Sequence, residues 1–287
     1  MGRAAVSSWD AWIGREQTRS DAVNAGHAAR WLATLDRDAP ADGTLPQGFH
    51  WCLCLPDAAT RSLDLDGHPQ RDDSADGFLP PLPQPRRMWA SSKVVFLAPL
   101  KLGQSIERTS RVQSITQKSG GSGNLVFVDL AHETRADGAV AVREVQTLVY
   151  RDASSPDAPP APHEPIACRF DPSLWDAARK ITPTEPLLFR YSALTFNSHR
   201  IHYDLPYARG EEGYRGLVVH GPLTATLLLD LARRKIGDNA VKTFSFRGLS
   251  PAVCGETLQL ALRGKDAGWE LGALANDGRQ VMSAIAT

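Results

Sequence analysis

What the sequence lacks narrows it first. It has no surplus of either charge: 32 Lys and Arg stand against 32 Asp and Glu in 287 residues. Neither a nucleic-acid surface nor attraction to an anionic membrane is therefore expected. No apolar run approaches the ~20 residues that span a bilayer. The opening stretch MGRAAVSSWDAWIGRE carries Asp10 and no continuous apolar core, so no secretory signal is expected there. Met1-Gly2 followed by Ser7 is off the myristoylation spacing. Four cysteines are too few for a disulfide scaffold, and only Cys52 and Cys54 lie close together. Reduced thiols in a cytoplasmic chain are the expectation.

What is present reads as two halves. Residues 5–35 read as mostly helical: Val6, Trp9, Trp12 and Ile13 share a helical face, and a second run covers 21–35. Gly14 is a stop between them, and Ser20 or Asp21 a cap. Residues 51–55 are apolar but too few to type. Residues 64–85 are rich in Gly, Pro and Asp and end on Arg86-Arg87. Two readings stay open for them, a solvated loop or a binding loop that grips an anionic ligand. Residues 91–150 read as a β-meander, with runs at 94–97, 104–115, 125–134 and 139–150 separated by turns. KSGGSG at 118–123 is a hairpin turn, because no helix pattern follows it and the Walker spacing is absent. The Pro/Ala/Ser-rich stretch 152–165 reads as a linker between an N-terminal unit, 1–151, and a C-terminal unit, 166–287. The second unit holds a short segment at 173–180 and a β-like run at 188–196. A helix at 223–235 and strands at 241–249, 256–262, 269–275 and 280–286 complete it. The fold class is α+β, a helix on a curved antiparallel sheet, occurring twice.

Chemistry concentrates in residues 191–234. His202 titrates near neutral pH and can give and take a proton. Asn197 can hold a water or orient a partner but cannot be a base. Gly221, just before an apolar helix that Pro222 opens, offers a backbone N–H to a carbonyl oxygen. Acid/base, water holder and oxyanion donor are what adding water to an activated C=C requires. His199-x-x-His202 with His220 or Asp204 is the competing zinc arrangement, but no sustained metal-binding helix follows His202, and no metal is expected. His220 and His199 also fit simple structural hydrogen bonding.

The stretch TFNSHRIHYD…GYRGLVVHGPLTATLLLDL resembles the hydratase segment of MaoC-like (R)-specific enoyl-CoA hydratases. It is most similar to the branch of mesaconyl-C4-CoA and itaconyl-CoA hydratases and mitochondrial-type hydroxyacyl-thioester dehydratases. GFLPPLPQPRRMWASS, KSGGSGNLVFVDLAHE and REVQTLVYRD in the first half agree with that branch. The resemblance implies a double hotdog, each half a long helix wrapped by an antiparallel sheet, with catalysis in the C-terminal half. It implies His202 as the catalytic histidine and Gly221 as the donor to the thioester oxygen. Asn197 stands where the wider family has its catalytic aspartate, and Gly121 where an arginine is usual. The implied reaction is hydration of an enoyl-CoA, in particular a branched C5 dicarboxylyl-CoA, or the reverse dehydration, with CoA entering as part of the substrate and no other cofactor. His199, Arg200, His220, Arg86 and Arg87 are the candidate substrate-binding residues. A fatty 3-hydroxyacyl-thioester dehydratase, a thioesterase using Asp204 or Glu212, and a non-catalytic acyl-binding subunit remain as alternatives. A homodimer is the expected assembly by analogy.

Overall fold

The computed structural model describes residues 9–120, 123–153, 159–162 and 170–287. Val6, Gly121, Cys168 and the linker residues 154–158 and 163–165 lie outside them.

The first strand, β1 (Glu16–Ala22), precedes helix α1 (Ala25–Thr34). Asn24 caps α1, its Oδ1 accepting the N–H groups of Gly26 and His27. Ala28, Trp31 and Leu32 are the buried face of α1. The expectation of helix through 5–35 is corrected here. Before residue 24 the described chain forms only a 3-10 turn, Asp10–Trp12, and then β1. As an edge strand exposed along almost its whole length, β1 carries no apolar alternation for sequence reasoning to find.

The meander follows as β2 (Arg86–Phe96), β3 (Ser105–Gly120), β4 (Gly123–Ala136) and β5 (Ala139–Arg151). The KSGGSG segment joins β3 to β4 as a hairpin whose register runs to Gly120 opposite Gly123. In the second half β6 (Ala177–Ile181) is preceded by a 3-10 turn capped by Asp171, and α2 (Glu185–Leu194) follows it. The β-like reading of 188–196 is thus corrected to helix: Leu188, Tyr191 and Leu194 are buried at a spacing of three, a helical and not a strand period. A short α3 (Leu205–Gly210) and the long α4 (Gly221–Ile236) precede β7 (Thr243–Gly248), β8 (Leu258–Lys265), β9 (Gly268–Ala275) and β10 (Gln280–Ala286).

The 10 strands form one antiparallel sheet in the order β1-β3-β4-β5-β2-β7-β10-β9-β8-β6. Read outward from the β2–β7 seam, both halves have the same connectivity. The seam pairs Ser92 with Phe246, so backbone hydrogen bonds run through without interruption. One apolar core joins α1, α2, α4 and both halves of the sheet.

The halves differ at their centres. In the second, α4 lies inside the curve of the sheet, and residues 223–232 are all buried. In the first, the corresponding stretch after α1, residues 36–85, holds only two 3-10 turns, Phe49–Cys52 and Thr60–Ser62. Prolines and glycines recur along it too often for a helix to propagate. The long helix expected in each half is present in the second and replaced in the first by extended, irregular chain.

Asp230 fixes α4 in place. It is buried, and accepts from Arg37 Nε (2.6 Å) in the loop after α1, from Arg179 (2.9 Å) in β6 and from Arg234 (2.9 Å) one turn on. Arg233 Nε lies 3.8 Å from it as well, so removing the carboxylate leaves four guanidinium groups facing each other around a vacancy. Asp230→Ala is expected to destabilise the protein by about 3–5 kcal/mol, read as a lower urea midpoint with unchanged slope. A change under about 1 kcal/mol would show that the cluster is solvated in practice.

Candidate active site

The N-terminus of α4 opens onto a broad cleft between the halves, of roughly 2480 Å³, lined by His202, His199, His220, Asn197 and Gly221 among others. That exceeds the ~300–1,000 Å³ of ordinary small-ligand pockets and suits a long ligand. The missing first-half helix leaves this space.

Each site residue is placed by backbone. Phe196 adopts a left-handed conformation (φ 47°), which turns the chain sharply after α2. Asn197 Oδ1 then accepts the backbone N–H of His199 at 3.0 Å, which leaves its NH2 donors and the second lone pair of Oδ1 for a ligand. The chain continues through a 3-10 turn, Arg200–His202. His202 Nδ1 lies 2.7 Å from the carbonyl oxygen of Val218. A carbonyl can only accept, so Nδ1 carries the proton and Nε2 of the neutral ring is left with a free lone pair.

The His202 ring stacks on His220, with centroids 3.5 Å apart and planes 19° from parallel, and His199 meets it edge-on at 5.5 Å. His220 is held by Ser192 Oγ at 2.8 Å and by the Tyr191 ring. Burial, and then the neighbouring imidazole His199, push His202 down to about 3. Burial and His68 push His199 down to about 3, and burial and His202 hold His220 well below the usual histidine range. Neutral rings can stack at this distance where imidazolium ions would repel. His202 is therefore a proton acceptor at neutral pH. At Gly221, the first residue of α4, no other atom lies within 4 Å of where a Cβ would stand. The cleft reaches the backbone itself, at the positive end of the helix.

The arginines divide. Arg87 lines the cleft and makes no hydrogen bond or ion pair among the described residues. Arg200 and Arg86, both candidate substrate ligands by sequence, are not among the residues that line this cleft. Arg200 forks onto Asp204 Oδ2 (2.7 and 2.9 Å) and lies over the Tyr207 ring. Arg86 pairs with Glu212 at 3.0 Å and donates to the Glu211 carbonyl. The same contacts occupy the two carboxylates a thioesterase would need, and Asp204 also caps α3.

Sequence reasoning missed Asp66 and His68. A tight turn at residues 64–68 docks on the catalytic loop: Arg200 N–H donates to the Asp66 carbonyl (2.8 Å) and Ser198 Oγ to the Gly67 carbonyl (2.5 Å). A Cβ on Gly67 would stand 1.9 Å from the Ser198 carbonyl oxygen, and its φ is +87°, so only glycine fits. His68 thereby packs on His199, centroids 4.1 Å apart, with its Nδ1 2.8 Å from Asp66 Oδ2. The available signal was the D-L-D-G-H turn inside the stretch flagged as a possible binding loop. Asp66, His68 and His199 each offer one ligand atom, all within 4.8 Å. However, Asp66 and His68 already satisfy one another, which is an imidazole–carboxylate pair in its own right. The zinc arrangement weighed from sequence, His199 and His202 with His220 or Asp204, does not come together among the described residues, where the group within ligand distance is Asp66, His68 and His199.

A long buried helix inside an antiparallel sheet, occurring in one chain with a duplicated sheet, defines a double-hotdog protein. The structure is similar to a MaoC-like dehydratase from Phytophthora capsici, with a TM-score of 0.70 and 14% identity over 96% of this chain and 95% of that one. A double-hotdog protein of Mycobacterium tuberculosis gives a TM-score of 0.56 at 14% identity, over 96% and 95%. In sequence the chain is 43% identical over 282 residues, 97% of each chain, to mesaconyl-C(4)-CoA hydratase of Chloroflexus aurantiacus. Residues 48–254 match the hydroxyacyl-thioester dehydratase type 2 family. The chain belongs to that family and is a hydratase/dehydratase.

The three depressed histidines make stability depend on pH. The unfolded chain binds protons at these rings below about pH 6.5, while the folded chain resists them until near pH 3. Their contribution is thus complete well above pH 6.5 and is lost as pH falls, by about 2 kcal/mol for each neutral ring at pH 5, on the order of 6 kcal/mol in total. Urea midpoints should be flat from pH 7 to 8 and drop between pH 6.5 and 5. A midpoint equal at pH 7 and pH 5 would contradict the buried, neutral rings.

Proposed function

We propose that the chain adds water across the C=C of a branched C5 dicarboxylyl-CoA, with mesaconyl-C4-CoA to citramalyl-CoA as the leading reaction and itaconyl-CoA as the second substrate to test. Near full-length similarity to a mesaconyl-C(4)-CoA hydratase supports the substrate class. The observation that carries the chemistry is the fixed tautomer of His202, a neutral base in the same cleft as Gly221, where nothing fills the space a Cβ would take. His202 Nε2 takes a proton from water as the oxygen bonds the β-carbon. Charge then moves to the thioester oxygen, where the Gly221 N–H and the α4 dipole receive it. Asn197 positions the water through its amide NH2. None of these steps calls on a metal or organic cofactor, and CoA is part of the substrate. Asp204 and Glu212, already engaged in ion pairs, leave the thioesterase reading without a base.

Loss of the enoyl-thioester absorbance is the direct assay, with crotonyl-CoA, a longer trans-2-enoyl-CoA, mesaconyl-C4-CoA and itaconyl-CoA as the panel. Mesaconyl-C4-CoA should bleach fastest, and His202→Ala should lower the rate on the order of 10²–10⁴-fold. Release of free CoA without bleaching would replace hydration with thioester hydrolysis.

Arg87 is the arginine we assign to the distal carboxylate, since it lines the cleft with its guanidinium uncommitted. Arg87→Ala should raise KM for mesaconyl-C4-CoA by about 10- to 100-fold, the worth of a charge-assisted hydrogen bond. KM for crotonyl-CoA, which has no distal carboxylate, should stay within about threefold. Equal losses on both substrates would assign Arg87 elsewhere.

A further inference from the structure

Adding water to a C=C needs a base for the water and an acid for the α-carbon. His202 supplies the first and is unprotonated at neutral pH, and the Asn197 amide supplies neither. The acid must come from another group that reaches the same part of the cleft.

The turn at 64–68 is built for that purpose. It crosses from the first half of the chain and is locked to the catalytic loop by the Arg200 N–H, by Ser198 Oγ and by the Arg200 side chain, which donates to the Leu65 carbonyl at 3.0 Å. Its own hydrogen bonds, Gly67 N–H to the Asp64 carbonyl and Asp64 N–H to the His68 carbonyl, close it on itself. Asp66 accepts twice from His68, from the backbone N–H at one oxygen and at Nδ1 from the other, both at 2.8 Å. An imidazole whose Nδ1–H is held by a carboxylate presents Nε2 in one orientation, and the carboxylate balances the charge when that nitrogen is protonated. Burial pulls Asp66 upward, but the hydrogen bond and charge of His68 hold its carboxyl well below the usual range, so it is ionised and available for this. His68 lines the cleft and is partly exposed, unlike His202 and His220. The groups around it are Asp66 on its own turn, His199 against its ring, the Arg200 side chain on the Leu65 carbonyl and, beyond His199, His202 and Arg87, which both act on His199.

We propose that His68, oriented by Asp66, is the second proton carrier of the site and delivers the proton to the α-carbon. The inference rests on the hydration reading above. Water loses a proton to His202 Nε2 and its oxygen bonds the β-carbon. The π electrons form the enolate, whose oxygen the Gly221 N–H holds. Protonated His68 gives its Nε2 proton to the α-carbon as the thioester carbonyl re-forms. The proton on His202 then returns to His68 through water in the cleft, so one H and one OH have been added and both rings are reset.

The experiment compares kcat and KM for the hydrated thioester from pH 5 to 9 in the wild-type chain, His68→Gln and Asp66→Asn, with thermal unfolding of each. In the wild type kcat should fall on the alkaline side, where the acid loses its proton. His68→Gln should lower kcat on the order of 10²-fold or more, leave KM within about threefold, and abolish the alkaline fall. Asp66→Asn should lower kcat less, and it carries the test should His68→Gln fail to fold. A kcat within threefold of wild type would overturn the proposal, as would a loss of activity that keeps the alkaline limb unchanged. Loss of wild-type activity to EDTA, restored by Zn²⁺, would overturn it in favour of a metal held by Asp66, His68 and His199. A wild-type chain inactive on every thioester would instead overturn the hydration reading itself.

Discussion

The structure depends on the burial of α4. Ten consecutive residues, 223–232, are removed from water inside the curve of the sheet. Burial of that kind contributes roughly 1.5–3 kcal/mol for each leucine-sized side chain, and it fixes the helix axially and rotationally. Asp230 adds direction to the apolar burial, since its arginine partners come from the loop after α1 and from β6. With α4 immobile, its first residue is immobile too. Gly221 therefore lines the cleft at a defined point, and the His220 ring just before it forms a platform for His202.

The two halves show how one architecture divides its labour. They share a strand order about the β2–β7 seam, but only the second fills its centre with a long helix. The first half gives up that core, and its Pro- and Gly-rich chain passes around the cleft instead. The turn at 64–68 reaches the catalytic loop because the chain there is not helical. Gly67 approaches the Ser198 carbonyl more closely than any side chain would allow. A cleft lined by His202 and His199 from one half thus also receives a carboxylate–imidazole pair from the other.

The depressed titration of three neighbouring histidines has a common origin. Each is buried against the others, and a second positive charge in that stack would meet the first within a few ångströms. His68, at the open end of the row, is the member with a carboxylate in hydrogen-bond contact, so the row runs from deeply buried neutral rings to a charge-balanced one.

The strands of both meanders, the long helix of the second half and the grouping of His202, Asn197 and Gly221 at one cleft were legible in the sequence. They rest on local pattern: alternation, helical period, turn residues and a contiguous motif. The exposed edge strand β1 was not legible, because exposure on both faces leaves no alternation. Helix α2 was read as a strand because its apolar, aromatic composition obscured a helical period. Nor could composition separate Arg87 from Arg86 and Arg200, since what differs is whether a carboxylate lies within reach. The sequence by itself determined the family, the motif loop at 197–204 and the two meanders. Only the tertiary structure brought Gly67 onto Ser198, 131 residues away, and so placed His68 beside His199, because that contact is set by the close approach of two loops and leaves no periodic trace in either.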